Sequence, residues 1–312
     1  MKKALVIGSE GQDGRLLKKL LFNKGYEVWG LGRGDCLDLS GLAGYFSFDL
    51  AQEDYSIITD FIRDVTPSEI YYISAFHHSS QEKNTGNTPD FIDRSVKVNQ
   101  TGFIKILEIV KQHSPQSRVF YTSSSLIFSG SSNPVQTEGT VPEPRCIYSV
   151  TKCGAMEAAK YYRSEHNVFV SVGIMYNHES SLRKDNFLSK KIINESRLIK
   201  ENKINSITIG DLSSATDWGY APDYVVAMWH LLQQESSGIF IISSGRSHTV
   251  QNWFEVLFNY LGLDWKQYVK EDPTLIFRKK PLLIGDNSKL LATGWMPECS
   301  FEDMVIRMYN KE

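Results

Sequence analysis

Residues 2–22 read KKALVIGSEGQDGRLLKKLLF, and their order is strand, turn, helix. Ala4 to Ile7 is a short apolar run suited to a strand buried on both faces. It feeds into Gly8, Gly11 and Gly14, spaced GxxGxxG, and then into Leu16, Leu17, Leu20 and Leu21 at helical spacing. A tight glycine turn between a buried strand and a helix aims the helix's unpaired N–H groups and its positive dipole end at one spot. That spot suits a pyrophosphate. Gly8 permits the turn, Gly11 lets a ligand approach the backbone, and Gly14 lets helix and strand pack closely, with Gln12 and Asp13 carried in the same turn. We read the stretch as a dinucleotide site.

Composition narrows the classes. At 312 residues the chain can bury a sizeable core as one large domain or two fused ones. With 34 basic against 36 acidic side chains the formal charge is −2, which gives no reason to expect nucleic acid or an anionic membrane as a partner. Cys36, Cys146, Cys153 and Cys299 lack CxxC or CxxH spacing, so neither a zinc site nor a disulfide scaffold is expected, and no metal is assigned. No apolar run is long enough to span a bilayer and no leader-like segment precedes the first strand. A cytoplasmic protein is expected.

Outward from the turn, Glu27 to Leu31 reads as a second strand ending in Gly32-Arg33-Gly34. An acidic residue at that strand end would grip the adenosine ribose hydroxyls of NAD. Arg33 stands there instead, and a guanidinium suits a 2′-phosphate. NADP is therefore favoured and NAD is the alternative; Asp35 close by keeps open a reading of Arg33 as an ordinary surface arginine in a loop. A third strand is predicted over Phe46 to Leu50, where Asp49 either bonds an adenine amino group or caps the next helix. Glu69 to Ser74 is a fourth, closing on Ala75-Phe76-His77-His78. Small residues there would line the cofactor groove; either histidine is a ligand contact or ordinary loop polarity. Asp93 to Val110 has helical periodicity with Asn99 among apolar neighbours. Arg118 to Tyr121 is a fifth strand running into Thr122-Ser123-Ser124-Ser125, and the carboxyl end of a buried strand is where an open α/β sheet presents its chemistry.

Tyr148-Ser149-Val150-Thr151-Lys152 answers that hydroxyl run. Positions four apart share a helix face, so Tyr148 and Lys152 point the same way. An ammonium near a phenol, with an oxidised nicotinamide close, favours phenolate and lowers the tyrosine pKa towards neutrality. The chemistry expected is hydride transfer at a carbinol, with Tyr148 as acid/base, Lys152 tuning it and Ser125 bonding the reacting oxygen.

The combination resembles the extended short-chain dehydrogenase/reductases, and in detail the GDP-mannose 4,6-dehydratase family. Gly11-Gln12-Asp13-Gly14, Pro67-Ser68-Glu69-Ile70-Tyr71, Asn177-His178-Glu179-Ser180, Asp217-Trp218-Gly219, Asp223-Tyr224-Val225, Ala227-Met228-Trp229 and Gly285-Asp286 carry the likeness, in order along almost the whole chain. The resemblance implies an α/β fold: a Rossmann-type doubly wound parallel sheet over residues 1–175 and a smaller C-terminal substrate-binding lobe over 176–312. Some segments, about 205–230, would return to the first domain. It also implies a nucleotide-sugar substrate, GDP-linked, and a homodimer or homotetramer. With the residues above it puts Gly8, Gly11, Gln12, Asp13, Gly14, Arg33, Asp49, Leu50, Ala75, Tyr148, Lys152 and His178 at the cofactor. His78, Asn177, Lys191 and Arg278 fall to the substrate.

Two departures stand against this likeness. Where the family's serine loop carries a glutamate, its base for the sugar C5 proton, this chain has Ile127, next to Leu126. Neither exchanges a proton, so the hydride step at C4 survives and the elimination of water loses its base. Thr216 replaces an arginine that holds a phosphate in the family. Three functions follow: a C4 ketoreductase or epimerase; a 4,6-dehydratase whose base comes from His77, His78 or Glu179; and a catalytically quiet cofactor-binding regulator. The intact Ser125-Tyr148-Lys152 set argues against the third.

Overall fold

The computed structural model describes residues 1–36, 38–77, 88–276 and 281–312. The chain opens with β1 (Lys3–Ile7), α1 (Gln12–Asn23), β2 (Glu27–Gly32) and β3 (Gly44–Ser47). Then come α2 (Ser56–Val65), β4 (Glu69–Tyr72), α3 (Pro89–Val96), α4 (Gly102–His113) and β5 (Arg118–Ser124). A two-residue strand, β6 (Val135–Gln136), precedes α5 (Ile147–His166), β7 (Val170–Met175) and β8 (Asn177–Glu179). The remainder is α6 (Leu188–Lys200), β9 (Ile207–Ile209), β10 (Ala215–Tyr220), α7 (Ala221–Leu231), β11 (Ile239–Ile242), β12 (Ser247–Thr249), α8 (Val250–Leu261), β13 (Val269–Glu271), β14 (Ile284–Gly285), α9 (Ser288–Leu291) and α10 (Phe301–Asn310).

Seven strands form one sheet in the order β3-β2-β1-β4-β5-β7-β11, and every pairing in it is parallel. Parallel strands need crossover helices on both faces, so their side chains are apolar on both sides. Ala4, Leu5, Val6 and Ile7 accordingly show no exposure. One face packs Ile58, Ile62, Phe103, Ile106 and Ala155 from α2, α4 and α5. The other takes Leu17 and Leu21 from α1 with Tyr224, Met228 and Leu231 from α7. A third, separate cluster gathers Ile192, Trp218, Trp253, Phe254, Phe258, Phe301 and Met304 from the C-terminal half. Among the described residues no helix is long and apolar enough to cross a membrane.

Three local expectations change. The third strand is Gly44–Ser47 rather than residues 46–50, because Phe48 and Leu50 leave the ladder to bury their side chains in the core. The segment 93–110 is not one α-helix. A π-helical turn, Lys97–Thr101, separates α3 from α4, and there the Val98 and Asn99 carbonyls accept the Tyr72 and Tyr121 hydroxyls at 2.5 and 2.6 Å. Carbonyls bound from outside widen the turn at that point. The stretch returning to the large sheet is 221–242 rather than about 205–230: α7 and β11 pack on it, whereas β9 pairs with β13. Asp217, on β10 beside Trp218 of the third cluster, ties that cluster to the sheet, its carboxylate accepting from Ser244 N, Ser244 Oγ, Gly245 N and Gly285 N.

Candidate active site

The glycine turn lies at the carboxyl end of β1. Gly8 has φ +98°, and a Cβ there would stand 2.8 Å from Ser74 N. At Gly14 it would come within 2.2 Å of Gly8 O, so helix and strand touch where no side chain fits. At Gly11, the N-cap of α1, a Cβ would approach, among the described residues, only Gly8 O at 3.5 Å, and among those residues no side chain caps the helix. A backbone concavity with uncapped N–H groups fits the pyrophosphate of a dinucleotide.

Gln12 and Asp13 turn towards β8. Gln12 Nε2 donates to the His178 carbonyl at 3.2 Å, and Gln12 Oε1 accepts from Ser180 Oγ at 2.9 Å. Asp13 Oδ2 lies 2.9 Å from His178 Nε2, while His178 Nδ1 lies 2.7 Å from Tyr176 O. Two acceptors at the two ring nitrogens require both to carry protons, so His178 is an imidazolium. Burial alone would lower its pKa; Asp13 outweighs this and the pKa is raised. Burial would raise the Asp13 carboxyl, and His178 holds it below the ordinary value instead. The pair therefore stabilises the fold fully between the unfolded carboxylate value near 3.8 and the unfolded histidine value near 6.5. Its contribution fades as pH rises through the raised His178 value. His178→Gln is expected to cost about 2–3 kcal/mol at pH 6 and clearly less at pH 9. Denaturant titrations of the ligand-free protein at the two pH values would check this, an equal loss at both counting against the imidazolium.

Ser125 begins a single 3₁₀ turn, Ser125–Phe128, directly after β5, and is 6% exposed. Tyr148 and Lys152 sit in the first two turns of α5. Lys152 has no exposed surface; Nζ donates to Thr122 O at 2.7 Å and lies 5.7 Å from the Tyr148 ring centroid. Burial pulls its pKa down to about 7. The Tyr148 hydroxyl is hydrogen-bonded to Ser124, yet burial dominates and pushes its pKa up to about 12. In the protein alone Tyr148 is therefore not tuned towards neutrality, whereas the expectation concerned the site with an oxidised nicotinamide close to the phenol. The lysine is turned to a carbonyl and a ring face rather than to the phenol oxygen, and the protein alone holds Tyr148 protonated.

Sequence reasoning left Ser124 without a role and assigned His78, not His77, to the substrate. His77 meets Tyr148 edge to face, ring centroids 4.5 Å apart. Its loop is clasped by buried Asn99, whose Oδ1 accepts from Phe76 N at 2.8 Å and whose Nδ2 donates to Phe76 O at 3.0 Å. Arg183 went unnoticed. It stacks at 3.7 Å on Phe187, pairs with Glu179 at 3.1 Å, and its charge reaches Tyr148, Asp13 and His178. Only the fold brings it there.

The other predicted residues scatter in burial and company. Asp49 does not cap a helix: Oδ1 accepts from Ala51 N at 3.0 Å, Oδ2 pairs with Arg94 at 2.7 Å, and α2 starts beyond Asp54, whose carboxylate accepts from Ser56 N. Leu50 is in the core; Arg33, Ala75 and Asn177 are exposed. Lys191 donates to Thr208 O at 2.9 Å. Thr216 lies opposite His248 on β12, whose ring stacks on Phe301. Ile127 has no exposed surface and belongs to the apolar core. His78 and Arg278 lie outside the described residues. Among those residues no group of three or more His, Cys, Asp or Glu side chains is gathered as a metal ion would require, and the four cysteines are free thiols.

A parallel seven-stranded sheet, a glycine turn after its first strand and a Tyr-x-x-x-Lys helix beside a strand-end serine define an extended short-chain dehydrogenase/reductase of the epimerase/dehydratase type. Within that class the chain belongs to the family described as GDP-mannose 4,6 dehydratase, whose sequence model matches residues 5–308. It is 34% identical to GDP-mannose 4,6 dehydratase 2 of Arabidopsis thaliana, over 100% of this chain and 87% of the relative. Among solved structures it resembles the Thermus thermophilus UDP-glucose 4-epimerase complex with NAD, at TM-score 0.82 and 18% identity over 99% of this chain and 98% of that one. RMD from Pseudomonas aeruginosa, complexed with NADPH, superposes at TM-score 0.79 and 18% identity over 100% and 98%.

Proposed function

We propose that the protein is a nicotinamide-dependent oxidoreductase acting at C4 of a nucleotide-linked sugar, GDP-linked as in its family, either reducing a 4-keto sugar or epimerising C4 through one. The observation that carries this reading is the company Tyr148 keeps: the Ser124 hydroxyl, a buried amine and an imidazole, with Asp13, whose charge reaches it, and Glu179 of β8 already paired. Asp13 is bound to His178, and Glu179 is 2% exposed between Arg183 and Ser189 Oγ at 2.6 Å. The bound nicotinamide would supply or accept the hydride. Tyr148, held protonated by burial, donates its proton to the C4 oxygen as the carbonyl becomes a carbinol. Ser125 donates a hydrogen bond to the same oxygen, and the Lys152 ammonium eases the charge left on the phenol. The N–H groups following Gly11, with Gly8 and Gly14 keeping the turn tight, take the pyrophosphate. Asn177 and Lys191 are assigned to the substrate diphosphate, and a homodimer or homotetramer is the assembly proposed. Arg33 argues for NADP over NAD.

A dehydratase with a displaced base is the second reading, and the His77 contact favours it. An imidazole held on the face of Tyr148 is able to take the C5 proton that Ile127 cannot. Offering a GDP-linked 4-keto-6-deoxy sugar with reduced cofactor, and following loss of nicotinamide absorbance, tests the first reading. Mass spectrometry of GDP-mannose incubated with oxidised cofactor tests the second through a product lighter by one water. Water loss from GDP-mannose, with no turnover of the keto sugar, would reverse the order.

A further inference from the structure

The third residue of the glycine turn is a glutamate, and its side chain runs towards β2 rather than away from the turn. Glu10 Cγ lies 3.5 Å from the place a Cβ would take on Gly32, the last residue of that strand. Its carboxylate is held in position: Oε1 accepts from Lys18 Nζ at 2.7 Å, from Ser9 Oγ at 3.2 Å and from Cys36 Sγ at 3.5 Å. Lys18 is 8% exposed and Glu10 19%, so the pair is part of the wall and not a solvated fringe. A second carboxylate, Asp35, follows in the same loop. After burial, Glu10, Cys36 and Asp35 all act to raise the pKa of the Tyr45 hydroxyl, which donates to Gly34 O at 2.9 Å. Arg33 is exposed, and its charge is felt on the Asp49 side of the strand end, where Asp49 already pairs with Arg94.

The end of the second strand is where a Rossmann sheet receives the adenosine ribose. A carboxylate there bonds the ribose hydroxyls, and a 2′-phosphate needs unopposed positive charge. We propose that Glu10, supplied by the turn instead of by the strand, receives the ribose hydroxyls and repels a 2′-phosphate, so that this chain prefers NAD to NADP despite Arg33. The inference rests on the nicotinamide reading above and deepens it. Lys18 bonds the carboxylate at Oε1 and so fixes its direction; Asp35 adds to the same negative field.

Titrating the purified protein with NAD and with NADP, without sugar, and following intrinsic tryptophan fluorescence or calorimetric heat gives the two dissociation constants directly. NAD is expected to bind at least tenfold more tightly. Glu10→Gln is expected to narrow that ratio at least tenfold, chiefly through tighter NADP. The wild-type ratio needs no variant and stands even if the substitution disturbs the turn. Tighter binding of NADP by the wild type would overturn the proposed preference, and a ratio unmoved in a folded Glu10→Gln protein would overturn its assignment to Glu10. Binding of neither dinucleotide would remove the nicotinamide reading and this inference together.

Discussion

Tyr148→Phe is expected to lower kcat for reduction of a GDP-linked 4-keto sugar by about 10²–10⁴-fold, the usual contribution of a positioned general acid. The substitution removes one oxygen and leaves the ring that His77 packs against. Its structural cost is the hydrogen bond to Ser124, about 1 kcal/mol, so the fold and the dinucleotide site should persist. Cofactor affinity within about threefold of wild type would establish that persistence, and the loss then belongs to chemistry. Because burial holds the phenol near 12, the donor form is the one present at neutral pH, which suits the reductive direction. A variant that kept a fifth or more of wild-type turnover would take Tyr148 out of the mechanism. Equal behaviour in every assay, binding included, would favour a cofactor-binding regulator.

Lys152→Met should do two opposite things: abolish most turnover and raise stability. The ammonium has no exposed surface, and burial brings its pKa down from 10.5 to about 7. Between those values the unfolded chain holds a proton that the folded chain has released, so wild-type stability rises with pH across that window. At pH 7 and below nearly the whole penalty is present. Each pKa unit corresponds to about 1.4 kcal/mol. Loss of the bond to Thr122 O offsets part of that, leaving a net gain of roughly 2–4 kcal/mol at pH 7 that shrinks towards pH 10. Methionine matches the length of the stem and fills the slot without strain. Thermal or denaturant unfolding of the two ligand-free proteins at pH 7 and 9.5 measures it. A less stable methionine variant at pH 7 would mean that Lys152 is held there by favourable interactions and is not a strained functional group.

Much of this site could be read before any coordinates because its rules are local. A strand end, a glycine spacing and the four-residue interval between Tyr148 and Lys152 depend on backbone geometry within a few residues of themselves. The same local reading failed where a distant group intervened. The helix periodicity over 93–110 was real, yet two tyrosines from β4 and β5 claimed its carbonyls and opened a π turn. Asp49 looked like a cap and became half of an ion pair with Arg94, 45 residues away. Tyr148 was expected to be acidic beside Lys152 and an oxidised nicotinamide, and in the protein alone burial sets its pKa instead.

From the amino-acid order alone came the buried first strand, the glycine turn behind it and the tyrosine–lysine face, since each is a property of residues adjacent in the chain or one helical turn apart; the loss of a carboxylate at Ile127 came from the family resemblance. Folding alone settled that His77 meets Tyr148, that Asp13 and His178 form an ion pair across 165 residues, and that Glu10 ends beside Gly32. Those outcomes depend on how far each side chain is carried through space by the packing of seven strands. Electrostatic interaction and burial act over a few ångströms of space, not of sequence, and so they become decidable only once the sheet has brought its strand ends together.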